Sequence, residues 1–348
     1  MNSSTLVRRA IPVVLAGAWA CADAPVPTTR AMAPGTASGA RAAAPASTTD
    51  ENYQVSPALI RLNQTLASRG ANFRVDAAEL RIAAKGWDGV TSTILIANNR
   101  SRLSGAEWVK GDPRRDGRVG VTWAFGSNTG TDPFVRDADG SNVHQATKAE
   151  QLALIQEAFN AWSGLACSSK PITEVAVPAG TDPDFLDEVF AGNSAGSANY
   201  LQPADIVEAG WQPLSFFLTV GGPDGVNILG VTFSFVFTDQ NGYPTDIDRD
   251  GRADRALSEV YYNDGYWWGN GSPNVVDFYS ILTHETGHAL GLGHFGKVFV
   301  TKHDAADGLQ ISDVKYAPYA MMNAVYVTGR NEIAGTDNSQ FCQLWASN

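Results

Sequence analysis

Three of the chain's five histidines, His284, His288 and His294, stand with Glu285 in the string His284-Glu285-Thr286-Gly287-His288-Ala289-Leu290-Gly291-Leu292-Gly293-His294. Residues four apart on a helix lie above one another on one face, so His284 and His288 can offer ring nitrogens to one metal ion. Glu285, next to the first of them, is turned about a third of the way round the helix and reaches a metal-bound water rather than the metal. Three imidazoles leave a fourth tetrahedral position open for that water, whereas structural zinc sites are usually closed by four protein ligands, mostly cysteines. Bound zinc lowers the water's pKa to about 7 from about 15.7, and Glu285 can then shuttle its proton as general base. Hydrolysis of a peptide bond fits these parts.

A helix has to carry the first pair and then stop, so that His294 can swing back as third ligand. Gly291 supplies the stop, three residues after His288, where a residue tolerant of positive φ is needed. The helix is expected from about Asn274 to Leu290.

The extended string resembles the signature of the metzincin clan, H-E-x-x-H-x-x-G-x-x-H followed downstream by a methionine turn. Ala320-Met321-Met322-Asn323-Ala324-Val325-Tyr326 is similar to that turn, with Met322 aligned beneath the metal and Met321 as the alternative. Within the clan the matrixin branch is most similar, over roughly residues 117–348. Gln151 to Trp162 resembles its first long helix, Ala204 to Val207 its third strand, and Ser258 to Trp268 the strand before the active-site helix. Asn227 to Phe237 resembles the upper edge strand along which a substrate backbone lies. The resemblance implies an α+β fold: a twisted mixed sheet, a long first helix, an active-site helix and a C-terminal helix. It also implies a zinc endopeptidase with Glu285 as general base. The chain departs from the branch at Phe295-Gly296, usually serine, and at Asn323-Ala324, often Tyr-Pro, so side-chain preference is not implied. No cysteine lies between Ala22 and Ala166, so the branch's cysteine latch is not expected.

Arg8-Arg9, the apolar run Ile11 to Ala20 and Ala18-Trp19-Ala20 read as an export signal, residues 1–20, too short to span a bilayer. Cys21 follows, where acylation would anchor the chain; ordinary cleavage would release it. Residues 21–50 are an Ala, Pro, Thr and Ser linker without apolar periodicity. In an exported chain, Cys167 and Cys342 can close one disulfide, the alternative being two buried thiols.

Residues 51–116 read as a small folded unit or a propiece. Leu59, Ile60, Leu62 and Leu66 form a helical stripe stopped by Gly70, and Thr91 to Ala97 reads as a strand. The exit Asp112-Pro113-Arg114-Arg115-Asp116 is expected as an exposed, charged turn open to cleavage. In residues 117–348, strands are expected at Val119 to Phe125 and near 204–208, 215–220, 227–237 and 257–263, with a helix from Ala146 to Leu165.

Asp246, Asp248, Asp250 and Asp254, with Gly251, occupy positions 1, 3, 5, 9 and 6 of a calcium-loop pattern. Position 12 is Leu257, and Glu259 is the nearest substitute. A bound Ca2+ and a solvated acidic turn both remain open. Tyr266, Trp267 and Trp268 are expected as core or as a substrate wall, and His144 and His303 as surface histidines.

The formal charge of −11 argues against nucleic acid as a partner, and no run spans a membrane. Protein or peptide substrates and a secreted, extracytoplasmic monomer are the expectation. The alternative is a non-catalytic surface or adhesion protein in which zinc and calcium are both structural.

Overall fold

In Phe73–Ala83 apolar Phe73, Val75, Leu80 and Ile82 are interleaved with Arg74, Asp76, Glu79 and Arg81, the two-residue period of a strand. That strand lies inside the main sheet of the computed structural model. The structure describes residues 53–83, 93–97, 105–126, 130–137, 139, 141–178, 181, 183–191, 203–271, 275–295, 297–304, 308–316, 320–326 and 329–346. The expected export segment, Cys21, the 21–50 linker and Gly296 lie outside the described residues. The described residues belong to one compact unit beginning at Ser47.

The strands are β1 (Tyr53–Val55), β2 (Phe73–Ala83), β3 (Ile94–Ile96), β4 (Ala106–Glu107), β5 (Val121–Phe125), β6 (Phe134–Arg136), β7 (Val143–Gln145) and β8 (Ile172–Glu174). They continue as β9 (Ile206–Gln212), β10 (Ile228–Phe237), β11 (Ala253–Asn263), β12 (Trp268–Gly269), β13 (Val276–Asp277), β14 (Lys297–Asp304), β15 (Gly308–Tyr316) and β16 (Val325–Tyr326). The helices are α1 (Pro57–Ser68), α2 (Lys148–Ser163), α3 (Leu186–Ala191), α4 (Leu214–Gly221), α5 (Phe278–Ala289) and α6 (Gly335–Trp345). The main sheet runs β1-β3-β2-β10-β11-β9-β5-β8, with β16 beside β2 and β4 beside β11. Its pairings are mixed: β10 is antiparallel to both β2 and β11, whereas β9 is parallel to β11 and β5. Helices and a mixed sheet make the protein α+β.

Alternation splits the core between the two faces of the sheet. Phe233, Phe235 and Tyr261 pack with Leu59, Leu62 and Leu66 of α1 and with Phe216 and Phe217 of α4. On the other face Trp123, Val260 and Tyr262 pack with Phe159 and Trp162 of α2, Ile281 and Leu282 of α5, and Phe341 and Trp345 of α6. Burying a large apolar side chain contributes about 1.5–3 kcal/mol, so these layers fix where α5 lies.

Several expectations need correction. Residues 215–220 form helix α4, not a strand. Their aromatic and β-branched composition suits a strand, but the buried positions Phe216, Phe217 and Val220 follow a helical spacing, with Leu214 and Leu218 on the outside. The strand at 227–237 is not an edge, because β2 covers its free side from Phe237↔Phe73 to Ile228↔Ile82. The boundary expected near residue 116 marks no break in packing, since β1, β2 and β3 extend the same sheet. Nor is 112–116 an open charged turn. Arg115 is buried, donating from Nε and Nη2 to Asp205 at 3.0 and 3.1 Å, and Asp112 is buried against Arg114. Of the aromatic trio, Trp268 is core, Tyr266 half-buried and Trp267 exposed beside Phe134. His144 is half-exposed beside Glu150, and His303 lies on β14.

Candidate metal centre

α5 begins at Asp277, whose side chain accepts from Ser280 N at 2.8 Å, and continues through His284, Glu285 and His288. Its last carbonyls would be orphans in an apolar setting. Buried donors meet them: Trp108 Nε1 on Ala289 O at 2.9 Å, Arg255 Nη1 on His288 O at 2.8 Å and Trp345 Nε1 on Leu290 O at 3.1 Å. Gly291 then turns the chain at φ 107°, in the region expected of it, and His294 comes back to the pair.

His284, His288 and His294 each bring a ring nitrogen within 4.8 Å of the other two. His284 Nδ1 donates to Met321 O at 2.6 Å, and His288 Nδ1 donates to Leu292 O at 2.8 Å. A carbonyl can only accept, so these bonds place the proton on Nδ1 and leave Nε2 bare. The two Nε2 atoms face each other at 3.0 Å. Burial, then the Arg81 charge, holds His284 well below the ordinary imidazole range; burial also lowers His288 to about 3 and His294 well below the usual value. All three are therefore neutral, the form that ligates metal.

Glu285 is wholly buried, and its Oε2 accepts from Thr232 Oγ1 at 2.7 Å. Its Oε1 and the Nε2 of His294 are buried without a hydrogen-bond partner among the described residues. Buried polar atoms are rarely left so. Three neutral imidazoles, two with bare Nε2 atoms and the third with an unpartnered one, fit a borderline-soft cation such as Zn2+, and a water beside it would meet Glu285 Oε1.

Met322 packs beneath α5. A Cβ on Gly287 would collide with Met322 Sδ and come within 3.0 Å of Trp162 Cζ2, so only glycine lets the two elements approach this closely. Met321 serves through its backbone, as the acceptor for His284. Asp337, on α6, holds the turn by accepting from Met321 N at 2.9 Å, Met322 N at 3.1 Å and Ala334 N at 2.8 Å. Phe295 N donates to Met322 O at 2.7 Å and so ties the loop after His294 to the same turn.

Two further residues of the site come from β2. Arg81, wholly buried, places Nη1 2.9 Å from His284 Nδ1 and donates to Met321 O at 3.1 Å. Burial lowers it to about 10, so it remains a cation at neutral pH. Glu79 Oε2 lies 3.3 Å from His288 Nδ1. Neither residue has a spacing that relates it to the histidine string, and the amphipathic alternation of β2 is the only signal that could have drawn attention to them.

Glu208 on β9 is another buried carboxyl on this face, accepting from Tyr262 Oη at 2.8 Å. Burial raises it to about 8, against 4.5 for an ordinary glutamate. Between those values the folded chain binds a proton that the unfolded chain has released, so stability falls as pH rises, by about 1.4 kcal/mol per pH unit at most. Below the window the penalty is absent. Glu208→Gln is therefore expected to raise the melting temperature more at pH 8 than at pH 5; a pH-independent difference would mean that Glu208 does not carry this proton.

Cys167 and Cys342 are joined, S–S 2.03 Å, linking the turn after α2 to α6. The acidic loop is also assembled, with a change of membership. Asp246, Asp248 and Asp254 form one group and Glu107, Asp248 and Asp250 another, each with ligand oxygens within 4.8 Å. Glu259 does not join them: it is buried with Tyr261 Oη, which donates to it at 2.8 Å. Asp254 is already engaged by Arg114 at 2.7 Å and Thr245 Oγ1 at 2.6 Å, and Asp246 accepts from the backbone of Asp250 and Gly251.

Among the described residues no helix is long and apolar enough to cross a membrane. No family model matches the chain. No curated protein matches it either.

Proposed function

We propose that the protein is a zinc-dependent endopeptidase of metzincin type, nearest the matrixin branch, with His284, His288 and His294 as ligands and Glu285 as general base. The observation that carries this reading is the convergence of three imidazoles, two of them fixed in tautomer, beside the unpartnered Oε1 of Glu285. Zinc bound there would polarise the scissile carbonyl and bring the attacking water's pKa to about 7.

The chain's own part is to position and to move protons. Thr232 Oγ1 occupies Oε2, which leaves Oε1 as the working oxygen of Glu285. That atom takes the proton of the attacking water and returns it to the departing amine. Burial raises Glu285 well above the usual carboxylate range, which favours the acid form needed for the second transfer, while the hydrogen bond from Thr232 opposes the rise and favours the base form needed for the first. Comparing wild type with Glu285→Ala on an unfolded protein substrate, at equal zinc content, tests the reading.

The disulfide supports export to an oxidising compartment; action there as a monomer on proteins or peptides is part of the same proposal. We also propose a structural Ca2+ in the loop of Asp246, Asp248, Asp250 and Asp254, with Glu107 supplying the carboxylate that position 12 lacks. Mutual proximity of these acids supports it: burial and then Asp250 raise Glu107 to about 6, and burial, Asp250 and Asp246 raise Asp248. Millimolar calcium is expected to raise the melting temperature of the chelated chain by several degrees. An unchanged transition would leave the loop as a solvated acidic turn.

A further inference from the structure

The small sheet β13-β12-β6-β7 turns one face to the core and the other to water. Trp268 and Val135, paired across β12 and β6, belong to the inner face. Phe134 and Arg136 face outward with their partners on β7, Gln145 and Val143, because side chains directly opposite one another lie on one side of a sheet. Trp267 joins this outer face: its ring lies 5.7 Å from that of Phe134, and the Arg136 guanidinium is also 5.7 Å from it. Phe134, Val143 and Trp267 are 46, 47 and 45 % exposed, so three large apolar side chains stand in water together.

Among the described residues β7 is the last strand of this sheet. The bonds from Asp137 N to Asn142 O and from Ala146 N to Pro133 O turn residues 142 and 146 toward β6, and His144 lies midway. Bonding direction alternates along an antiparallel pair, so the N–H and C=O groups of Val143 and Gln145 point away from β6, to the open edge. Proteins usually guard such an edge with lysine, proline or a bulge, and Asn142 to Gln145 has none of these. Charge is concentrated at one end. Asp137 and Asp139, beside the start of β7, are exposed and in no ion pair among the described residues. At the other end Asp132 is paired with Lys148 at 3.2 Å, and Glu150 lies 3.5 Å from His144.

We propose that β7 is a docking strand for an extended segment of the protein substrate, apolar at alternate positions and followed by basic residues. The inference rests on the peptidase reading. A guest strand bonds through its backbone to Val143 and Gln145, and its alternate side chains meet Val143 or, if long, Phe134. Antiparallel addition runs the guest from Gln145 toward Val143, so its basic end reaches Asp137 and Asp139. β13 of the same sheet leads into α5, and a segment held there raises the effective concentration of the rest of the substrate at the site.

Binding is measured by fluorescence anisotropy on the full chain carrying Glu285→Ala, with a fluorescein-labelled peptide Val-Thr-Val-Thr-Val-Lys-Lys-Lys. Val143→Pro removes an outward N–H and spares the bonds to β6, and it should weaken binding at least about tenfold. Val143→Lys, which keeps the backbone and adds an opposing charge, should do the same and serves if the proline variant fails to fold. A peptide ending in three glutamates should bind at least about tenfold more weakly than the lysine peptide. With Glu285 intact, the lysine peptide should raise the KM for an unfolded protein in the wild-type edge and not in Val143→Lys. Equal binding by wild type and both edge variants, or preference for the glutamate peptide, overturns the proposal. A dimer in sedimentation that Val143→Lys dissociates also overturns it, by giving the edge to a second copy of the chain. Edge-dependent binding without cleavage of any protein keeps β7 as a peptide-docking strand and removes the peptidase reading.

Discussion

Glu285→Ala is expected to lower turnover of an unfolded protein by about 10²–10⁴, the usual contribution of a positioned acid–base group. Zinc should stay at one per chain, because all three proposed ligands remain and Glu285 is not among them. The circular dichroism should also stay at the wild-type level. The carboxyl is wholly buried, and one of its oxygens finds no partner, so its removal takes away a desolvated group and does not uncover one. Thr232 Oγ1 keeps an acceptor in the Glu285 carbonyl at 3.0 Å. A large kinetic effect with little structural effect is the signature of a proton carrier. Equal turnover in wild type and variant would move the activity elsewhere and leave the imidazole trio a structural role, as in a metal-stabilised adhesion protein.

The second large effect is expected at Asp337. Its two oxygens accept three backbone N–H groups, two of them from the methionine turn, and the side chain is wholly buried. Hydrogen bonds to a charged acceptor are worth roughly 1.5–3 kcal/mol each, and stranding buried donors costs their desolvation as well. Asp337→Ala should therefore lose about 3–5 kcal/mol of unfolding free energy, measured by urea denaturation. It should also bind zinc more weakly, because Met321 O, which fixes the His284 tautomer, hangs on this anchor. Outer partners of metal ligands typically carry 10–100-fold in affinity. A variant that unfolds more easily yet holds zinc as tightly as wild type would show that the turn does not depend on Asp337 for its shape.

The centre of the site was legible because its logic is local. A helical offset of four, a glycine that allows φ 107° and a histidine three residues on are all written in one string. Strands β5, β9, β10 and β11 are legible for a similar reason, since each carries an apolar run bounded by turn residues, whereas the three-residue strands β6, β7 and β8 are too short to show one. What stayed hidden is what crosses the chain. Arg81, Glu79, Thr232, Arg255 and Asp337 reach the site from other elements, and their partners are set by sheet register and helix packing rather than by spacing. Residues 215–220 mislead for another reason: Phe, Thr and Val favour strands as single residues, and burial of one helical face overrides that preference. The exit at 112–116 reads as exposed because it is charged, whereas Arg115 and Asp205 satisfy each other inside.

The bond from Arg81 to the carbonyl of Met321 spans 240 residues of chain. Contacts of such long range form late in folding, because the entropy of closing the intervening loop must be met before they contribute. His284 and His288, in contrast, stand four residues apart, so a single turn of α5 brings them together even while a helix of a dozen residues is only transiently formed. A folding chain would thus offer a chelating pair to the surrounding water before the sheet shuts over it. Capture of an ion at that stage would make the metal a template for the final collapse rather than a late guest in a finished cavity.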